Sequence, residues 1–358
     1  MKNSNIFQFL LPILIMAFFS TPAFTQKTEA DFRREEAERR QEIKKAFDIF
    51  INASNAESTR LRAVEKVPTT YDEKQRDLLN RIVRSPNESD AIRAMALNKL
   101  KHHLSTDKEL LDQIKRWVID KNTPQMLRKE SLNALELVNF SSLGMQGIPD
   151  DLLSIYRKLT EDELIEFRRI AFKFLSLRND DFAQQLLIRG LNNPQNALLP
   201  APESIYYLSY NIHGDYYPVI NRVLLETNDN KTKIQALNVL GNYEPARPKI
   251  LEILNNAQED EAVRLAAMKT LNAFDKTKFA EYVMPLFQAR NTPDDLLAYA
   301  ISAEKHRRNN NRVRAQKYNN GKYQLDPFDR NVKELYEKSS SSIVKRVAND
   351  YLRTLDFE

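Results

Sequence analysis

The sequence predicts an all-α fold, an α-α superhelical solenoid of about nine antiparallel helix pairs. Three observations predict it. Leu, Ala, Glu, Lys and Arg dominate, only 6 of 358 residues are Gly, and period-two runs of Val, Ile and Thr are scarce, a balance that favours helix over strand. A basic residue marks one helical stretch after another. Around each marker, a residue at −1, a small one at +3 and an apolar one at +7 share one helical face, so the small side chain lets another backbone come close.

The markers run the length of the chain. Arg60 is followed by Ala63 and Val67, Arg93 by Ala96 and Leu100, Arg128 by Ser131 and Leu135, and Arg168 by Ala171 and Leu175. Lys233 is followed by Ala236 and Leu240, Arg264 by Ala267 and Leu271, and Lys345 by Ala348 and Leu352. Their separations are 33, 35, 40, 65, 31 and 81 residues. The 65 and the 81 each suit two units with a degraded one between, which places the missing markers in 203–211 and 295–305. Helical stretches without a marker alternate with these, at 71–84, 108–120, 216–226 and 247–257.

Residues 1–25 read as a secretory signal. Lys2 precedes an apolar run from Ile6 to Phe19, and Ala23 and Thr25 are small residues ahead of Gln26. The run falls short of the roughly 20 apolar residues of a membrane span. With no Cys, neither disulfides nor thiolate metal sites are available, and an exported chain has no thiol to mispair. The expected location is periplasmic or extracellular, with no stable membrane insertion after cleavage. Residues 26–52 are highly charged at first, with Glu35–Arg39 and Glu36–Arg40 at helical spacing, and apolar later. They predict a capping helix ahead of a repeat domain at 53–358. "PDDLL" occurs at 149–153 and 293–297, where Pro suits a first turn and early Asp the positive helix start.

The stretches "DAIRAMALNKL" and "EAVRLAAMKTL" resemble the second helix of HEAT repeats, a family related in architecture to armadillo repeats. The resemblance covers roughly residues 40–356, with these two stretches as its good matches. It implies second helices lining a concave face. It also implies that the marker Arg and a preceding acid bond between neighbouring repeats, a role that Asp90–Arg93 and Glu261–Arg264 fit and that Thr232–Lys233 and Val344–Lys345 do not. Arg93 and Arg264 are accordingly expected to be architectural. HEAT-like hydroxylases carry repeated His-Glu pairs, and His102, His103, His213 and His306 form none.

Candidate functional residues lie where the repeat is interrupted. The segment 303–323 holds Lys305, Arg307, Arg308, Arg312, Arg314, Lys317 and Lys322 against Glu304. It reads either as a solvated loop or as a grip for phosphates, anionic glycans or an acidic segment. A second candidate is "ESIYYLSYNIHGDYYP" (203–218), with Tyr206, Tyr207, Tyr210, Tyr216 and Tyr217. Tyrosines suit sugar stacking or a peptide hot spot, and equally a core that lacks Leu. Asn98, Asn133 and Asn238 share offset +5, away from the packed face, where a polar ligand would meet them.

The net charge of +5, from 54 basic and 49 acidic residues, does not argue for nucleic acid, and export argues against it. No metal-ligand spacing, Gly-rich phosphate loop or nucleophile elbow occurs, so no catalytic residue and no cofactor are assigned. The leading expectation is a non-catalytic exported scaffold that binds another protein. Behind it stand a binder of anionic polymer or glycan through 303–323 and the Tyr cluster, and an enzyme whose scattered carboxylates meet only in space.

Overall fold

The computed structural model describes residues 28–68, 72–142, 150–275, 277–289, 291–310, 318–319, 322–323 and 325–355. The signal-like residues 1–25 lie outside that set, as do Arg312, Arg314 and Lys317. The chain divides into two compact units, 1–148 and 149–358. The first holds α1 (Glu29–Ile51), α2 (Glu57–Glu65), α3 (Glu73–Arg84), α4 (Asp90–Leu100), α5 (Lys108–Ile119) and α6 (Gln125–Ser142). The second holds α7 (Asp150–Leu159), α8 (Ile165–Ser176), α9 (Asp181–Asn192), α10 (Ala201–Leu208), α11 (Tyr217–Glu226) and α12 (Asn230–Val239). It continues with α13 (Arg247–Asn255), α14 (Glu261–Phe274), α15 (Phe279–Gln288), α16 (Asp294–Asn310), α17 (Pro327–Lys338) and α18 (Ser342–Leu352). Tyr318–Asn319 and Lys322–Tyr323 form a minimal antiparallel ladder between α16 and α17.

The fold is all-helical, and its helices pack as successive pairs. Every marker residue falls on the second helix of a pair, and α10 and α16 occupy the two places where the marker is missing. The predicted capping helix, α1, is itself the first helix of the first pair, because it packs on α2. Within each unit the second helices also touch in series: α2 on α4 and α4 on α6 in the first, and α8 through α18 in even steps in the second. Ala96, Ser131, Ala171, Ala236, Ala267 and Ala348, all at +3, are fully buried, which is what close approach of these helices requires. Side-chain caps set the helix starts. Ser89, Asp107, Asp180, Asp229, Asp260 and Ser341 each accept a hydrogen bond from a first-turn backbone N–H. Among the described residues no helix is long and apolar enough to cross a membrane.

The marker arginines share one geometry. Arg60 Nε donates to the Phe50 carbonyl (2.7 Å), Arg93 Nε to Val83 (3.1 Å), Arg128 Nε to Val118 (3.2 Å) and Arg264 Nε to Leu254 (3.0 Å). Each acceptor lies ten residues earlier and is the penultimate residue of the pair's first helix. Carbonyls there lack an intrahelical donor, and the helix end carries partial negative charge. The arginine therefore staples the two helices of its own pair.

The bond between neighbouring repeats is made by a different acid from the one the HEAT resemblance implies. Arg60 reaches Glu88 through two hydrogen bonds (2.6 and 2.9 Å), and Lys233 reaches Glu259 (2.9 Å). Glu88 and Glu259 precede the next markers, Arg93 and Arg264, by five residues. Asp90 stays 3.8 Å from Arg93 within its own first turn. The physical reason is placement: the turn before the second helix faces the preceding repeat, whereas a carboxylate already inside the first turn lies beside its own helix.

Candidate functional site

The sequence-selected candidates separate once their partners are seen. Arg307 and Arg308 end α16, but they turn inward. Arg307 pairs with Glu304, and Arg308 donates to Glu304 Oε1 (2.6 Å), Asp329 Oδ1 (2.6 Å) and Asp326 Oδ2 (2.9 Å). Tyr351 of α18 donates its hydroxyl to Asp329 Oδ1 (2.7 Å), and Glu304 and Asp329 are fully buried. Burial drives the Tyr351 phenol up. Burial opposes the charge on Arg308, but Tyr351, Glu304 and Asp329 together raise it, and the hydrogen bond to Glu304 raises Arg307. Arg307 and Arg308, read from the sequence as candidate ligand grips, are thus already engaged in ion pairs. Three carboxylates saturate them, two of which, Asp326 and Asp329, come from α17 and its cap. Of the other basic candidates, Lys305 is half-buried on α16.

The asparagines divide as well. Asn98 Nδ2 donates to Glu130 Oε1 (2.7 Å) and Asn133 Nδ2 to Glu130 Oε2 (3.2 Å). One carboxylate thus bridges α4 and α6, so these two amides serve the contact between pairs. Asn238 is exposed on α12. Glu130 itself was missed; its position two residues past a marker gave no signal until the neighbouring helix was in place.

The tyrosine cluster divides along α10. Tyr216 is buried and fills the core, and burial pushes its phenol up. Tyr206, Tyr207 and Tyr210 instead gather at the C-terminal end of α10, with ring centres 5.4–6.5 Å apart. Tyr206 is 48% exposed. The Tyr206 and Tyr210 hydroxyls share a hydrogen bond of 2.8 Å, and Tyr210 is pushed up to about 12, first by that bond and then by burial. Partial burial raises Tyr207 too. One turn earlier Glu203 receives two hydrogen bonds from Arg169 of α8, each 2.7 Å, which fixes α10 against its neighbour. Asn211, just past the rings, donates to Gln184 of α9 (3.2 Å). The arrangement presents three aromatic rings with polar tips on a braced helix end.

The start of α10 borders a hollow of about 500 Å³ among α8, α9, α11 and α12. Its lining is mostly apolar, with Arg168, Glu226, Thr227 and Thr232 as polar members. Sequence reasoning counted Arg168 as one more repeat marker and missed this hollow, since nothing local distinguishes Arg168 from Arg128. Among the described residues no group of three or more His, Asp or Glu side chains is placed to hold a metal ion.

No family model matches the chain, and no curated protein matches it either. Among solved structures it is similar to human deoxyhypusine hydroxylase in complex with glycerol, at 12% identity over 90% of this chain and 99% of that one, with a TM-score of 0.28. That neighbour is, by its name, an enzyme. The expectation of a non-catalytic protein-binding scaffold, which rested on the repeat alone, is withdrawn. A likeness this slight assigns no activity to the present chain.

Proposed function

We propose that this chain is an exported HEAT-like repeat protein that binds a neutral glycan through Tyr206, Tyr207 and Tyr210. The single observation that carries the reading is the solvent-facing Tyr206 ring, set against Tyr207 and Tyr210 on a helix end braced by Arg169 and Glu203. Aromatic faces suit the C–H faces of sugar rings, while phenol tips and a nearby carboxylate suit hydroxyl groups. The inward turn of Arg307 and Arg308 favours a neutral ligand over a polyanion. Export is supported by the leader-like pattern at 1–25, and the HEAT assignment by "DAIRAMALNKL" and "EAVRLAAMKTL".

The test is calorimetric titration of the full chain with a hexamer of N-acetylglucosamine, with cellohexaose and with heparin. A neutral oligosaccharide binds, heparin does not compete, and Tyr206→Ala weakens binding about tenfold, the equivalent of ~1.4 kcal/mol. Failure of both neutral oligosaccharides to bind, or unchanged affinity in Tyr206→Ala, overturns the reading. Sequencing of the mature N-terminus in a secreting host checks export, with Gln26 as the expected first residue.

A further inference from the structure

We infer that the hollow beside Arg168 is a second ligand site, separate from the tyrosine surface, and that it takes a small amphipathic monocarboxylate. The first observation is a break in the repeat's own rule. Arg60, Arg93, Arg128 and Arg264 all donate Nε to the carbonyl ten residues back. For Arg168 that residue is Lys158, again the penultimate residue of the pair's first helix. The Lys158 carbonyl instead accepts from the Glu161 backbone N–H (3.3 Å). Arg168 Nε is buried and has no hydrogen-bond partner. Buried donors in folded proteins are almost always satisfied, and a guanidinium that has left its helix-capping role is suited to a planar carboxylate.

The second observation is what surrounds it. Arg168 lines a hollow of about 500 Å³, within the range of small-molecule pockets, which are mostly apolar with a few convergent polar groups. Leu191, Leu198, Leu199 and Val223 supply apolar wall. Gly190 lets the following loop pass close by, since a Cβ there would lie 3.3 Å from Ala197. Glu226 also lines the hollow; it is exposed, with only a loose ion pair to Arg222 at 4.0 Å. That carboxylate repels a second negative charge, which selects a single anionic head followed by an apolar body.

The experiment is calorimetric titration of the full chain with hexanoate, octanoate and decanoate, and with 1-octanol as the uncharged match. At least one carboxylate binds saturably, and octanol binds about tenfold more weakly than octanoate. Arg168→Met weakens the carboxylate about tenfold and leaves octanol unchanged, which a merely structural role for Arg168 would not produce. Ala201→Phe, which fills the hollow at the start of α10, removes both. Circular dichroism confirms that each variant is folded; where Arg168→Met is not, Ala201→Phe and the octanoate–octanol difference decide. No saturable binding by any of the carboxylates, or equal octanoate affinity in folded Arg168→Met, overturns the proposal. Tyr206→Ala leaves carboxylate binding intact, so this proposal and the glycan reading fail separately.

Discussion

Replacing Arg308 by Met tests whether the basic end of α16 is structural. The guanidinium contacts Glu304, Asp326 and Asp329, and its side chain is only 12% exposed. It also lies over the rings of Phe328 (5.6 Å) and Tyr351 (5.5 Å). Removal leaves Asp329 with the Tyr351 hydroxyl and the Asp326 backbone N–H, and leaves Glu304 with Arg307. Breaking a buried ion pair by deleting one partner typically costs about 3–5 kcal/mol, because the remaining charge stays buried. The surviving partners soften this, so the expected loss is about 3 kcal/mol of local stability. It is confined to α16–α18, since repeat arrays open locally. Native-state hydrogen exchange on those amides measures it directly, with α12–α14 as the internal reference. Heparin retention of the variant stays equal to that of the parent. Unchanged protection in α16–α18 together with a steep fall in heparin retention would refute the reasoning and return Arg308 to ligand binding.

Two further outcomes follow from the same geometry. Arg264→Met deletes the buried donor to the Leu254 carbonyl and costs about 2 kcal/mol in urea denaturation; a change below ~0.5 kcal/mol would show that the staple is dispensable. For the ring cluster, the Tyr210 phenol is held protonated, up to about 12 against an ordinary 10.0. Its contribution to stability is therefore complete below pH 10 and is lost as pH climbs through the folded value. Ultraviolet titration of phenolate formation shows several late-ionising tyrosines, since Tyr207, Tyr216 and Tyr351 are raised as well, and Tyr206→Phe, which removes the shared hydroxyl bond, brings one of them, Tyr210, down; no change in that variant would contradict the hydrogen bond.

The helix-pair organisation was legible because its signal is local. Offsets −1, +3 and +7 mark one face of a helix wherever they occur, and even the degraded repeats at α10 and α16 could be located from the gaps they leave. The surface candidates were harder to read, because a side chain's partner is set by what packs against it. Tyr216 and Tyr206 belong to one tyrosine run, yet one fills the core and the other faces solvent. Glu88 and Glu259 took the contact between repeats that Asp90 and Glu261 were expected to make.

The amino-acid order alone determined the all-helical class, the pairing of helices and the places where the repeat fails, since backbone periodicity and capping act over a few residues. Only the tertiary structure decided which charges are spent and which are left. Asp329 lies 21 residues beyond Arg308 and still neutralises it, whereas Arg168, with the same local pattern as Arg128, lines a hollow with its Nε unpaired. Coulombic and hydrogen-bond partners are chosen by distance in space, and separation along the chain carries little information about that distance.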